Sequence, residues 1–200
     1  MVLNKHLQQN VLWWAIFCGA LIPAVLLFIG AYKQQLGADP AKEIVLQLGT
    51  WAINFLWASL AITPIRKVLG WGWLAKYRRM LGLFSFFYVL LHLLAFATFM
   101  LGWKLSILLI EITERPYAIV GFIALLLLIP LAVTSTKAMQ RKLKQRRLTL
   151  HKLVYLIALL SLLHIVWQIR ADFFEALVYA LLLSWLLGYR LYARLKRKMS

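Results

Sequence analysis

The sequence predicts an all-α membrane protein, a six-helix transmembrane bundle with both termini in the cytoplasm. Three observations support this prediction: an apolar composition, six long apolar runs, and a segregation of charge between alternate loops. Hydrophobic residues make up 64% of the 200-residue chain and charged residues only 14%. Ordinary soluble domains are much less apolar. We therefore expect residues 1–200 to form a single transmembrane domain.

The apolar runs are long enough to cross a bilayer, which takes about 20 residues per helix. They cover residues 11–32, 44–65, 80–103, 116–135, 150–169 and 173–192. Each run is expected to be helical, because backbone groups in lipid must satisfy their own hydrogen bonds. Pro116 suits a first helical turn, while Pro23 and Pro130 predict mid-helix kinks. No internal repeat is predicted.

Charge determines the predicted orientation of these spans. Most of the 23 basic residues fall in residues 66–79, 137–152 and 190–198, which follow the second, fourth and sixth runs. The acidic residues all fall on the opposite side, and they are Asp39, Glu43, Glu111, Glu114, Asp172 and Glu175. The positive-inside rule places the basic side in the cytoplasm. The net charge of +17 is thus explained by topology, and a nucleic-acid partner is not expected without a soluble basic face.

Cysteine chemistry is almost absent from the chain. Cys18 is the only cysteine, so no disulfide can form within the chain. No C-x-x-C-H motif occurs, which excludes covalent heme attachment through that motif. A metal centre in this protein would therefore have to use histidine.

Three of the four histidines fall within predicted spans, where ionisable groups are costly and often functional. His92 lies roughly 20 Å beyond Arg79, and His164 lies roughly 25 Å beyond Arg147, at about 1.5 Å per helical residue. His151 lies only roughly 6 Å beyond Arg147. In a hydrocarbon core about 30 Å thick, His92 and His164 reach a similar depth in the outer half, and His151 stays near the inner face.

Two histidines at matched depth on different helices suit the axial positions of a b-type heme iron, with the macrocycle in the apolar gap between the helices. Neutral imidazole is a good ligand for this metal. Tyr88, Phe96, Phe99 and Trp167 are candidate walls for the macrocycle. Other roles stay open, since membrane histidines also form interhelical hydrogen bonds or serve proton relays and substrate paths.

His151 leaves more possibilities open. It lies about 20 Å from His164 along the helix axis, which would allow a second redox centre on the cytoplasmic side. The third span offers Arg78 and Arg79 at that level instead of a histidine, so a second heme would have an unusual or missing second ligand. His151 could instead lie beside another cofactor or cap the start of its helix.

Several segments resemble a known family. They are LGADPAKEI (36–44), LAITPIRK (60–67), YRRMLGL (77–83), ERPY (114–117), TSTKAMQRKL (134–143) and LHKLVYL (150–156), in this order. Together with His92 and His164 they are similar to the MsrQ (YedZ) family, the heme-binding membrane subunits of bacterial MsrPQ methionine sulfoxide reductase systems. That family belongs to the ferric-reductase-like transmembrane group.

The resemblance implies a b-type cytochrome of the bacterial inner membrane that binds heme b and FMN, with His92, His164 and His151 as the matching heme-ligand positions. It implies electron transfer from the quinone pool or a cytosolic flavin reductase to MsrP, a periplasmic molybdopterin enzyme that repairs oxidised proteins. The FMN contacts match no motif, and the basic segments near Arg78–Arg79 and Arg141–Arg147 are candidates. Alternatives are another heme-dependent reductase, of the ferric reductase type, or a non-redox small transporter.

Overall fold

The computed structural model describes residues 2–169 and 173–199, except for the side chains of residues 2–6, 197 and 198. Within this part of the chain all regular structure is helical. The helices are α1 (Val2–Tyr32), α2 (Pro40–Leu69), α3 (Arg78–Phe99), α4 (Leu105–Glu114), α5 (Pro116–Val133), α6 (Lys137–Leu150), α7 (Leu153–Gln168) and α8 (Phe174–Met199), with a short 3-10 helix at Gly72–Tyr77.

The multi-pass membrane architecture is confirmed. Among the described residues five helices, α1, α2, α3, α5 and α8, are long and apolar enough to cross a membrane. The remaining predicted span corresponds to α7, which forms a broken pair with α6, bent by 55°. The start of α2 is capped, because Asp39 accepts a hydrogen bond from the Lys42 amide. Pro40 occupies the first turn, as expected for a helix start.

Two helices were not predicted. Helix α4 lies between the third and fourth spans, and α6 occupies the basic segment that precedes the fifth. The third span also ends earlier than predicted, at Phe99, because Gly102 and Trp103 adopt positive φ in the turn that follows. The fifth begins at Leu153 and not at residue 150, which leaves His151 in the joint between α6 and α7.

Helices α2 and α3 pack against each other around aromatic rings. Phe55 stacks on Tyr88 with ring centroids 5.2 Å apart, and Phe84 lies 5.6 Å from Phe55. The Tyr88 hydroxyl donates to the Ala20 carbonyl at 2.8 Å and accepts from the Ala24 amide at 3.1 Å. These two groups flank Pro23, so Tyr88 bonds to α1 at the turn that the proline interrupts.

Helices α5, α7 and α8 pack against α2 around aliphatic residues, among them Leu60, Ile157 and Leu183. Polar contacts tie α8 to α2, since the Trp57 indole donates to the Tyr179 carbonyl and the Tyr179 hydroxyl donates to Asn54. At the basic end, the Arg190 guanidinium donates to the carbonyls of Leu186 and Leu60 and lies over the Tyr155 ring. These contacts join α8 to both α2 and α7.

Candidate metal centre

The structure brings the imidazole rings of His92 in α3 and His164 in α7 next to each other. Their ring centroids are 6.3 Å apart and their ring planes are nearly perpendicular, at 89°. The two histidines therefore lie at one level of the helix bundle. They come from helices that are remote in sequence, and the packing of α2, α3, α5 and α7 places them together.

The orientation of the His92 ring is determined by a backbone carbonyl. Its Nδ1 lies 2.8 Å from the carbonyl oxygen of Val45 in α2. A carbonyl oxygen can only accept, so Nδ1 carries the proton and donates it. In the neutral ring Nε2 then holds a lone pair, which is the tautomer that binds a metal through Nε2.

His164 is held in the same way by the other pair of helices. Its Nδ1 donates to the carbonyl oxygen of Tyr117 in α5 at 2.7 Å. The same argument assigns the proton to Nδ1 and the lone pair to Nε2. The aromatic ring of Tyr117 also lies 6.0 Å from the imidazole, between centroids. Both imidazoles are thus oriented before any ligand is considered.

The two carbonyls lie near the starts of their helices. Val45 is in the second turn of α2, which begins at Pro40, and Tyr117 follows Pro116 at the start of α5. These helix ends are opposite to the basic segments that connect α2 to α3 and α5 to α7. The histidine pair therefore lies toward the end of the bundle that carries the acidic residues, in agreement with the predicted depth.

The distance between the rings fits one metal ion bound by both. Imidazole nitrogens bind metals at about 2 Å, and a ring centroid lies about 1 Å behind its nitrogen, so two ligands on opposite sides of one ion need centroids about 6 Å apart. In residues 2–169 and 173–199, no group of three or more His, Cys, Asp or Glu side chains could hold a metal. Two protein ligands suit an ion whose other positions are filled by a macrocycle.

The aromatic residues predicted to line the site have different positions. Tyr88 is fully buried and bonded to α1, so it supports the helix packing one turn before His92. Phe99 and Trp167 are half-exposed on the surface of the bundle. The residues that sequence reasoning missed are Val45 and Tyr117, which contribute backbone groups and so leave little trace in residue type.

The sequence predicts no internal repeat, yet the structure repeats one local arrangement. In each case the histidine follows its carbonyl partner by 47 residues, and a glycine one turn after that partner lies against the imidazole. The glycines are Gly49 in α2 and Gly121 in α5.

A polar chain connects Tyr117 to the outer helix α4. The Tyr117 hydroxyl accepts from Arg115 Nη1 at 2.8 Å, and Arg115 Nε pairs with Glu111 at 2.9 Å. The hydrogen bond with Tyr117 raises the pKa of Arg115 above its ordinary value. Tyr117 therefore touches His164 through its backbone and ring, and the loop surface through its hydroxyl.

His151 is not part of this pair. It lies in the joint between α6 and α7, where its Nε2 is 3.3 Å from the Thr134 hydroxyl oxygen. The positively charged side chains of Arg147 and Arg78 interact electrostatically with His151. The equivalent position in the α2–α3 arrangement is Arg79, so the repeat supplies no second histidine at the basic end of the bundle.

Comparison with known proteins defines the class. The family model described as "Ferric reductase like transmembrane component" matches residues 45–162. This range begins at the carbonyl partner of His92 and extends into α7. No solved structure matches the chain. The fold and this match define a ferric-reductase-like transmembrane protein.

Several curated relatives are similar over most of their length. A protein of Polaromonas naphthalenivorans (strain CJ2) is 44% identical over 192 residues, covering 92% of this chain and 87% of its own. One from Xanthomonas euvesicatoria pv. vesicatoria (strain 85-10) is 45% identical, covering 83% and 76%. Both are named "Protein-methionine-sulfoxide reductase heme-binding subunit MsrQ". The chain belongs to the MsrQ family, as the resemblance indicated.

Proposed function

We propose that this protein is the heme b-binding membrane subunit of a methionine sulfoxide reductase system and carries electrons across the bacterial inner membrane. One observation supports this most strongly: two imidazoles face each other across 6.3 Å, each with Nδ1 bonded to a backbone carbonyl, which leaves the lone pair on Nε2. The relatives that share this chain's sequence are named for heme binding. In this proposal His92 and His164 would together hold the iron of one heme.

The bound heme would supply a centre that gains and loses one electron. The chain's own contribution is to hold the two ligands in place. The Val45 and Tyr117 carbonyls keep both rings in the tautomer that presents Nε2, and such outer partners also raise the basicity of the ligating nitrogen. Since both partners are backbone groups of helices, their positions are determined by the packing of α2 and α5.

A second cofactor position at the inner face is also part of the proposal. FMN carries a phosphate, which basic side chains bind. Residues of α6 line an open surface groove of about 420 Å³ at the break in this helix at Lys144, and these residues are Lys137, Gln140, Arg141, Lys144, Gln145, Arg147 and Leu148. The groove supports the predicted Arg141–Arg147 segment. We assign His151, about 20 Å from His164 along the helix, to this inner position. If this inner position held a second heme instead of FMN, His151 would be the one histidine that binds its iron.

The proposed topology places both termini in the cytoplasm and treats residues 1–200 as one transmembrane domain. The distribution of Lys and Arg supports it. Electrons would enter from the quinone pool or a cytosolic flavin reductase and leave on the periplasmic side.

The proposed acceptor is an MsrP-like periplasmic molybdopterin reductase, which would hold the active site for oxidised protein substrates. Acidic residues at the outer ends of the helices, Asp39, Glu43, Glu111 and Glu114, are candidates to meet it; Asp172 lies outside the described residues. A ferric reductase would use the same histidine pair, and the names of the relatives favour the methionine sulfoxide reductase system instead.

Purification followed by optical spectroscopy and cofactor extraction tests this function. We expect the wild-type protein to show a heme Soret band that shifts on reduction and to release noncovalent heme on extraction. His92→Ala and His164→Ala should each lose most of the bound heme, because one axial ligand is removed. Ser161→Ala is the matched control on α7, since this hydroxyl bonds to the Ile157 carbonyl of its own helix.

Two results would contradict the proposal. A colourless wild-type protein would exclude a heme subunit. Full heme content in both histidine variants would show that the ligands are elsewhere.

To test the acceptor, the reduced protein is mixed with a periplasmic methionine sulfoxide reductase or with ferric chelates. Preferential reoxidation by the chelates would favour the ferric reductase alternative.

A further inference from the structure

We infer that Gly49 and Gly121 are positioning residues that allow the Nδ1 edges of the two imidazoles to approach the backbone of α2 and α5 closely. This inference rests on the proposed function, since it concerns the same histidines. Because each glycine lacks a side chain, it leaves space on the helix surface, and one edge of an imidazole ring occupies that space. A side chain at either position would displace the ring and, with it, the metal-binding Nε2.

The reason is the geometry of a carbonyl inside a helix. The carbonyl of residue i points toward residue i+4, to whose amide it bonds. A ring that bonds to the carbonyl of Val45 must therefore lie over residue 49, and a ring that bonds to Tyr117 must lie over residue 121. Only glycine leaves that surface free of a Cβ atom.

Gly121 has the tighter contact. A Cβ built on it would lie 2.7 Å from Nδ1 and 2.8 Å from Cε1 of His164. Cβ atoms do not come this close to other nonbonded heavy atoms, because carbon makes no hydrogen bond that would shorten the contact, so the imidazole or one of the helices would have to move. Because Nδ1 is the atom that donates to the Tyr117 carbonyl, such a movement would also disturb that hydrogen bond.

Gly49 has the same contact with slightly more room. A Cβ there would lie 3.1 Å from Nδ1 and 3.3 Å from Cε1 of His92. A shift of a few tenths of an ångström would relieve this contact. The same ring edge faces the glycine in both arrangements. Because the contact at Gly121 is the shorter one, an alanine there should displace the imidazole more than an alanine at Gly49 does.

Other helical glycines provide matched controls. A Cβ placed on Gly19 in α1 or on Gly188 in α8 would meet no atom of the described residues within 4 Å. Substituting alanine at these positions changes only the local backbone preference, and alanine favours helices over glycine. Any loss at Gly49 or Gly121 that is absent at Gly19 and Gly188 is therefore caused by the contact.

The first experiment measures heme content per protein and the electron paramagnetic resonance spectrum of the ferric state for four alanine variants. Gly121→Ala should lower heme affinity by about tenfold or more, as mutations of groups that orient a metal ligand commonly do. Gly49→Ala should keep more heme and show a shifted signal, because the spectrum reports the angle between the axial ring planes. Gly19→Ala and Gly188→Ala should match the wild type. Unchanged heme content and signal in Gly121→Ala would overturn the inference.

The second experiment separates ring contact from general helix packing. Gly121→Ala is made in the wild type and in a His164→Ala background, and thermal unfolding is measured for each. If the glycine acts through the imidazole, the substitution lowers the Tm only when His164 is present. An equal fall in both backgrounds would overturn the inference. A wild-type protein without heme would contradict the proposed function alone, because this comparison would still test the contact.

Discussion

The α2–α3 half and the α5–α7 half hold the same imidazole arrangement in different surroundings. The first half is packed around aromatic rings and bonded to α1 through Tyr88, whereas the second is packed around aliphatic residues and covered by α8. The glycine contact is tighter in the second half, where a polar chain also reaches the outer surface through Tyr117 and Arg115. The shared elements are a backbone carbonyl, a glycine and a histidine.

This comparison shows which features the site requires. The surrounding side chains differ in size and shape between the halves, so the arrangement of the two imidazole rings does not require one particular set of packing residues. The carbonyl and the glycine recur at the same spacing, because they directly orient the ring. A substitution in the supports should therefore affect stability, and one in the recurring elements should affect the bound group.

The largest stability effect is expected in the aliphatic core of the second half. Ile157→Ala removes a side chain that is 1% exposed, between α7 and its neighbours. We expect a loss of about 2 kcal/mol, at the lower end of the range for core truncations, because helices in lipid gain packing but little hydrophobic transfer energy. Unfolding in mixed detergent measures it, with Leu159→Ala, half-exposed on α7, as the control. Equal losses in both variants would show that the second half is not packed as described.

A smaller effect is expected for the aromatic half. Tyr88→Phe removes the hydroxyl that bonds to Ala20 and Ala24 of α1 and keeps the stacked ring. Two hydrogen bonds are lost, but the Ala20 carbonyl and the Ala24 amide are four residues apart in α1 and can bond to each other once the hydroxyl is gone. The free energy of unfolding should therefore fall by about 1 kcal/mol, the usual net value of a single hydrogen bond, with heme content preserved. Protease sensitivity of α1 provides a second measurement. A loss of heme without a loss of stability would place Tyr88 in the site instead of in its support.

The smallest effect is expected at the outer surface. Arg115→Gln breaks the pair with Glu111, in which the arginine side chain is 46% exposed. Exposed pairs contribute less than about 1 kcal/mol, so stability should change little and the heme spectrum should stay the same. A large spectral shift would show that the Tyr117 chain controls His164 more directly than its backbone bond suggests.

Much of the fold follows from the sequence because lipid imposes long apolar helices, and the lengths of α1, α2, α5 and α8 are visible as hydrophobic runs. Helix α6 was missed because its sequence, KAMQRKLKQRRLTL, is too basic to indicate a span. Helix α4 was missed because it is short and joined to an apolar run. The similar depths of His92 and His164 indicated that their side chains could meet, while other roles for the two histidines stayed open.

The partners of the two rings could not be predicted in the same way. Val45 and Tyr117 act through carbonyl oxygens, which every residue has, so their side chains give no signal. Gly49 and Gly121 act through the absence of a side chain, and their meaning appears only when the facing ring is seen. The inner position of His151 was predicted from its distance to Arg147, but its bond to Thr134 depends on the bend between α6 and α7.

The most direct test of the histidine pair is electron paramagnetic resonance of the ferric wild-type protein, with the hyperfine couplings of the ligand nitrogens resolved. The protein is prepared with ¹⁵N-labelled histidine. If Nε2 of His92 and Nε2 of His164 bind one iron from opposite sides with nearly perpendicular ring planes, the protein will give a strongly anisotropic low-spin signal coupled to two labelled nitrogens. A high-spin signal, or coupling to a single histidine nitrogen, would contradict this arrangement.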